Sequence, residues 1–188
     1  MSQNYKINLF QHQIDVINSV KDKKNVGLFL DLGLGKTITS TVLALIFDNP
    51  KTLIVCPKPL IDGWKQTLRD FFKITICDFK YIANKNGFFV INYDKLIRND
   101  EFLKLKDYTL ILDESSKICH DNTKRTKFVM KMKPTNTILL SGSPCSGGRY
   151  DKLLQKMGKK KKAIGFAIYL DELERLSNDK PMYDVDMV

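Results

Sequence analysis

The stretch Val26-Gly27-Leu28-Phe29-Leu30-Asp31-Leu32-Gly33-Leu34-Gly35-Lys36-Thr37 decides how the chain is read. An apolar run with strand character enters a turn holding two glycines. Lys36-Thr37 follows, and then the apolar-rich segment Ile38–Phe47, which has helical length. This is the layout of a phosphate-binding loop. Glycines let the backbone turn so that its N–H groups converge on anionic oxygens, and the helix adds its positive N-terminal end. Lys36 can then reach the β/γ-phosphates of a nucleotide and Thr37 can hold Mg²⁺. The strict pattern has glycine at the position of Leu30, and a plain glycine turn between a strand and a helix is the competing explanation.

Working outward, a second acidic element follows another apolar run. Tyr108-Thr109-Leu110-Ile111-Leu112 reads as a strand and runs straight into Asp113-Glu114-Ser115-Ser116. A carboxylate at a strand end can hold Mg²⁺ through its water shell, and a neighbouring one can take a proton from an attacking water. Capping of the next helix is the alternative use for such a pair. Its occurrence downstream of Gly35-Lys36-Thr37 favours the nucleotide site.

Further segments give the frame. Leu9-Phe10-Gln11-His12-Gln13 leads into Ile14, Val16, Ile17 and Val20 at helical spacing. Thr52–Cys56 is a β-rich run closed by Pro57-Lys58-Pro59, and Leu60–Phe72 reads as a helix holding the only tryptophan, Trp64. Ile74–Phe79 and Phe88–Ile91 are strand candidates, Tyr93–Leu105 looks helical, and Thr137–Leu140 is a strand entering Ser141-Gly142-Ser143-Pro144. Short apolar strands alternating with helix-length segments predict an α/β fold: a buried, mostly parallel sheet with helices on both faces. Ligands of such sheets bind beyond the carboxyl ends of the strands, where these polar motifs fall.

Composition narrows the function class. The 188 residues are 43% hydrophobic and 28% charged, enough for one domain with a proper core. No apolar run reaches membrane-span length and the N-terminus does not read as a signal peptide, so no membrane partner is expected. Cys56, Cys77, Cys119 and Cys145 lack metal-ligand or disulfide-framework spacing, which fits a reducing cytoplasm. The 31 basic against 21 acidic residues give a formal charge of +10, suiting a polyanion such as DNA or RNA, although a solvated lysine-rich surface gives the same figure.

Taken in order, the motifs resemble the first RecA-like lobe of a superfamily-two helicase or translocase, closest to the Swi/Snf type and its shorter phage relatives. His12-Gln13 resembles the glutamine motif that reads adenine, and Asp31–Thr37 resembles motif I, whose family form also lacks the strict first glycine. Val55–Leu60 with Trp64 is similar to motif Ia. Val90-Ile91-Asn92-Tyr93 is similar to the later motif that lies along DNA. Asp113-Glu114-Ser115-Ser116 resembles motif II, with Ser116 where His is common, and Ser141-Gly142-Ser143-Pro144 resembles motif III. The likeness covers about residues 7–150; residues 1–150 are expected to form the ATP-binding lobe, with 151–188 as a basic, helical tail.

The resemblance implies P-loop, ATP and Mg²⁺ chemistry. Gln13 would recognise adenine, while Gly33, Gly35, Lys36 and Thr37 would hold the phosphates. Thr37 and Asp113 would take the metal, and Glu114 would orient the attacking water. Ser141 and Ser143 would couple nucleotide to nucleic acid, and Lys58, Trp64 and Tyr93 would line the DNA path. It also implies a second lobe with motifs IV to VI, which these residues do not show. Arg149 and Arg175 sit in no arginine-finger motif. Since such a finger is worth roughly 10³–10⁵ in rate, slow hydrolysis is expected from this chain alone, or a protein partner that supplies the missing half. The rival readings are a non-catalytic nucleotide- or DNA-binding module that regulates a partner, and the ATPase lobe of a restriction or repair system. In the tail, Lys156 and Lys159–Lys162 form a basic cluster, and Ala163, Phe166, Ala167, Leu170 and Leu173 recur at helical spacing. Pro181 and its polar neighbours predict a frayed end.

Overall fold

The computed structural model describes residues 7–30, 33–118, 123–142, 164–168 and 183–185. Its centre is a six-stranded, all-parallel sheet. Strands β2 (Asn25–Leu30), β3 (Lys51–Cys56), β4 (Gly87–Asn92), β5 (Tyr108–Leu112), β6 (Asn136–Ser141) and β7 (Ile164–Ile168) lie in the order β4-β3-β5-β6-β2-β7. A separate antiparallel pair joins β1 (Ile7–Leu9) to β8 (Tyr183–Val185).

Parallel strands need crossover connections, and helices supply them on both faces. The strands alternate with period two between the faces. Leu53, Val55, Leu110, Leu112 and Leu139 enter one core with Tyr93, Leu96, Phe102, Phe128 and Val129. Ile54, Cys56, Ile111, Ile138 and Leu140 enter the other with Val16, Ile17, Val42, Leu43, Trp64 and Leu68. The second core is roofed by α1 (Gln11–Val20), α2 (Lys36–Ile46) and α3 (Ile61–Asp70), the first by α4 (Tyr93–Leu96) and α5 (Lys124–Val129). Burying each Leu or Ile side chain contributes about 1.5–3 kcal/mol, so this double layer is the main stabilising term.

Helix α2 buries Thr39, Ser40 and Thr41 without leaving their hydroxyls unpaired. Thr39 Oγ1 donates to the Gly35 carbonyl at 3.1 Å, and Ser40 Oγ and Thr41 Oγ1 donate to that of Thr37 at 3.1 and 2.7 Å. Back-bonding to the preceding turn lets a polar stretch sit in an apolar layer.

Four expectations change. Ile74–Phe79 is no strand: Lys73, at φ 52°, turns the chain, and the segment makes one isolated parallel bridge, Ile76 to Phe88, before a 3₁₀ turn at Phe79–Tyr81. The helix from Tyr93 stops at Leu96, and a 3₁₀ turn spans Asp100–Lys104. There the Asn99 side chain accepts the Glu101 N–H, a local bond that competes with helix continuation. In the tail, Ile164–Ile168 is a strand, not part of a helix. It pairs in parallel with β2, whose backbone on that side would otherwise face no partner, and pairing outweighs the helical spacing. Nor does the far end simply fray, since Tyr183–Val185 pairs with β1. The lysine cluster at 156–162 lies outside the described residues.

Candidate nucleotide site

Registers bring the motif-bearing strand ends onto one rim. Phe29 pairs with Ser141, Leu112 with Leu139, and Val55 with Leu112. The Gly33–Gly35 turn, Asp113-Glu114 and Ser141-Gly142 therefore emerge together at the carboxyl edge.

The turn is built for glycine. Gly33 has φ 88° and Gly35 φ 70°, a left-handed conformation that costs other residues about 1–2 kcal/mol. A Cβ on Gly35 would also run into the Gln13 side-chain amide. Gly35 is the N-cap of α2, and no side chain caps that helix end. An N-terminus of this kind, presented by a glycine turn, suits an anion. Lys36 Nζ donates to the Leu30 carbonyl at 2.7 Å, and a Cβ built on Gly142 would lie 3.7 Å from it. The ammonium thus spans from the end of β2 to the end of β6. Thr37 is the second residue of α2 and half-buried.

Gln13 sits behind this loop. It is buried, with Oε1 accepting the Phe10 N–H at 3.0 Å and Nε2 donating to the Gly35 carbonyl at 3.4 Å. Its amide braces the glycine turn here. His12 Nε2 lies 3.4 Å from the Leu34 carbonyl, and its ring stacks on the exposed Phe10 at 5.7 Å between centroids.

Asp113 is held on every side. Its main-chain N–H donates to the Val55 carbonyl at 2.9 Å. Its Oδ1 accepts the Glu114 N–H at 2.9 Å, and its Oδ2 accepts the Trp64 indole N–H at 2.7 Å. Tyr93 donates its hydroxyl to the Asp113 carbonyl at 2.7 Å. Glu114 is half-buried with φ 49°, an uncommon conformation for a non-glycine residue and one that gathers at functional sites. Ser115 Oγ donates to the Leu140 carbonyl at 2.9 Å, strapping the acidic turn to β6. Ser141 is fully buried at the end of β6, and Ser143 lies outside the described residues.

Burial and the nearby Asp113 charge push the Cys56 thiol up to about 12, with Lys65 opposing. Arg125 donates to Asp94 at 2.7 Å, and its guanidinium, with smaller help from Arg98 and Lys58, holds that carboxyl below its ordinary range.

The expected nucleic-acid path needs correction. Lys58 is exposed, but Trp64 and Tyr93 are 3% and 2% exposed. Both face inward to Asp113, so neither lines a surface. A buried indole N–H or phenol seeks an acceptor, and Asp113, far along the chain from both, offers it. What sequence reasoning missed is a cleft of about 760 Å³ along the edge strand β4, lined by Lys65, Arg69, Lys73 and Lys95 over Ile74, Ile76 and Val90.

The SNF2-related domain profile matches residues 11–153. The chain belongs to the SNF2-related domain family. It is 28% identical over 170 residues to the Arabidopsis thaliana protein Chromatin remodeling 24, covering 72% of this chain and 16% of that protein. An ATP-dependent helicase of Mycoplasma genitalium is 25% identical over 189 residues, with 87% and 18% covered. This SNF2-family chain thus spans less than a fifth of either relative. Among solved structures, the Sulfolobus solfataricus SWI2/SNF2 ATPase core in complex with dsDNA superposes with a TM-score of 0.69 at 22% identity, over 77% of this chain and 34% of that one. The Pyrococcus furiosus Hef helicase domain gives 0.63 at 19% identity, over 86% and 40%. The fold is that of a RecA-like helicase lobe, and the family relations support an ATPase-type one. Among the described residues, no helix is long and apolar enough to cross a membrane.

Proposed function

We propose that this SNF2-family lobe binds Mg²⁺–ATP on the carboxyl rim and hydrolyses it slowly, in response to DNA. The observation that carries the reading is the meeting of two charges on one rim: Lys36 beside the ends of β2 and β6, and Asp113 fixed at the end of β5. The uncapped N-terminus of α2 and the positive-φ glycines fit a triphosphate. Among the described residues no three His, Cys, Asp or Glu side chains cluster. A cation held by Thr37, Asp113 and the nucleotide's own oxygens is the mode that suits Mg²⁺, which neutralises phosphate charge.

Lys36 would leave the Leu30 carbonyl for the β/γ-phosphates, and Glu114 would orient and deprotonate the attacking water. Gln13, braced against Gly35, would have to turn outward to read adenine. Ser141 and Ser143 would pass the nucleotide state to bound DNA. Hydrolysis by these residues alone lacks an arginine aimed at the γ-phosphate, so a second lobe or a partner supplying one would accelerate it. The partner would be DNA, duplex or single-stranded, met by Lys58 and the basic cleft; the dsDNA in the Sulfolobus complex supports the duplex form.

Calorimetry of ATP binding with Mg²⁺, for wild type and Lys36→Ala, tests the reading. Equal affinities would sink it. A module that binds nucleotide or DNA without turnover and regulates a partner is the second reading. Single-turnover hydrolysis with and without DNA separates the two.

A further inference from the structure

We infer that Trp64 is a positioning residue for the metal-binding carboxylate Asp113. The inference rests on the reading that Asp113 faces Mg²⁺, and it assigns Trp64 a task other than filling the core or meeting DNA.

Asp113 is 8% exposed, so water does little to hold its carboxylate in one orientation. Two N–H groups do so instead. Glu114 N–H takes Oδ1 along the chain, and the Trp64 indole takes Oδ2 from a different element, α3. Only the second bond ties the side chain to a separate part of the fold. The indole suits this task. It is a donor with no acceptor capacity, so it cannot compete for the cation, and its rigid ring sits in a buried layer with Leu68. A charge-assisted bond of 2.7 Å to one oxygen uses only part of the carboxylate's acceptor capacity. Phenylalanine would fill nearly the same space without holding the carboxylate. Partners behind a metal ligand fix its orientation, and their loss commonly costs 10–100-fold in metal affinity.

A structural role and a positioning role separate on Mg²⁺ dependence. The measurement uses the full chain and a fluorescent ATP analogue, titrated with Mg²⁺ after a titration in EDTA. For Trp64→Phe, the Mg²⁺ concentration at half-maximal tightening should rise about 10-fold, while affinity in EDTA stays within about 2-fold of wild type. Leu68→Ala, on the same helix and in the same core, should lower the unfolding temperature and leave the Mg²⁺ midpoint unchanged. A Trp64→Phe midpoint equal to wild type, in a wild type that tightens with Mg²⁺, overturns the positioning role and leaves the nucleotide site standing. A wild type that binds ATP with no response to Mg²⁺ overturns both. Should Trp64→Phe fail to fold, the wild type answers alone. Trp64 is the only tryptophan, so its emission must differ between ATP in EDTA and ATP with Mg²⁺. Identical spectra under the two conditions refute the inference.

Discussion

The two ends of one sheet handle polar groups differently. At the amino end, Asn49 Nδ2 donates to Thr109 Oγ1 at 2.9 Å and to Asn136 Oδ1 at 2.8 Å. This neutral amide joins the loop before β3 to the starts of β5 and β6. At the carboxyl end, Lys36, Asp113 and Glu114 are buried or half-buried charged groups beside the neutral Gln13, Ser115 and Ser141. The backbone there adopts left-handed conformations at Gly33, Gly35 and Glu114. Asp113 is held by Trp64 and Glu114, and Lys36 rests on a backbone carbonyl that a phosphate could replace. The Asn49 bonds satisfy neutral groups and stabilise, while Asn25 Oδ1 and Thr137 Oγ1 at the same end are buried without a hydrogen-bond partner among the described residues. Charged groups held in place beside a glycine turn are placed for a ligand.

Breaking each end in turn tests the contrast. The largest effect is expected from Lys36→Ala, which removes the ammonium from the phosphate loop and should weaken Mg²⁺–ATP binding at least about 100-fold by calorimetry, as expected for a lost charge-assisted contact. Glu114→Gln should leave ATP binding near wild type and lower single-turnover hydrolysis about 10²–10⁴-fold. An unchanged rate would remove Glu114 from the general-base role. At the other end, Asn49→Ala should cost about 1–2 kcal/mol of stability, a drop of a few degrees in unfolding temperature, with nucleotide affinity untouched. A loss of ATP binding there would show that the two ends are coupled.

The DNA surface is sharpened by salt. Affinity should fall with salt at a log–log slope of about −0.9 per phosphate neutralised on duplex. Charge removal at Lys65, Arg69 and Lys95 should flatten it if the β4 cleft contributes, and removal at Lys156–Lys162 if the tail does. An unchanged slope strikes the corresponding patch from the surface.

The smallest effect concerns pH. The Cys56 thiol keeps its proton in the folded chain to about 12, against an ordinary value of 9.0. The unfolded chain therefore releases its proton first. The contribution is fully present below pH 9 and is lost as pH rises from there toward 12. Thermal unfolding of wild type should lose stability over that window faster than Cys56→Ala does. Parallel curves would show that the thiol ionises as readily when folded.

Much of the frame was legible because the sheet is buried on both sides. Runs such as Leu53–Cys56 and Leu110–Leu112 are apolar throughout, which suits doubly covered strands. The rim was legible because Gly35-Lys36-Thr37 and Asp113-Glu114 each follow such a run. What the sequence hid is where long-range contact overrides local pattern. Ile164–Ile168 has helix-compatible spacing and becomes a strand because β2 offers it a pairing edge. Trp64 and Tyr93 look like surface aromatics in motif segments, and their inward orientation follows from an acceptor many residues away. The β4 cleft joins residues of α3 to those near α4, which no local window contains.

The strand order also governs when the nucleotide rim can exist during synthesis. Chains emerge from the amino end, and strands β3 and β4 find each other early because they are neighbours in sequence and in space. Strand β2 is made before them, yet its partners arrive last: Asn25 waits for Thr137, and Val26 for Ile164. Until then the segment that leads into the phosphate loop is an unpaired apolar strand, the kind of edge that invites wrong partners. In a ribosome-bound series of lengthening chains, ATP retention should therefore appear abruptly once β6 has cleared the exit, not gradually after α2.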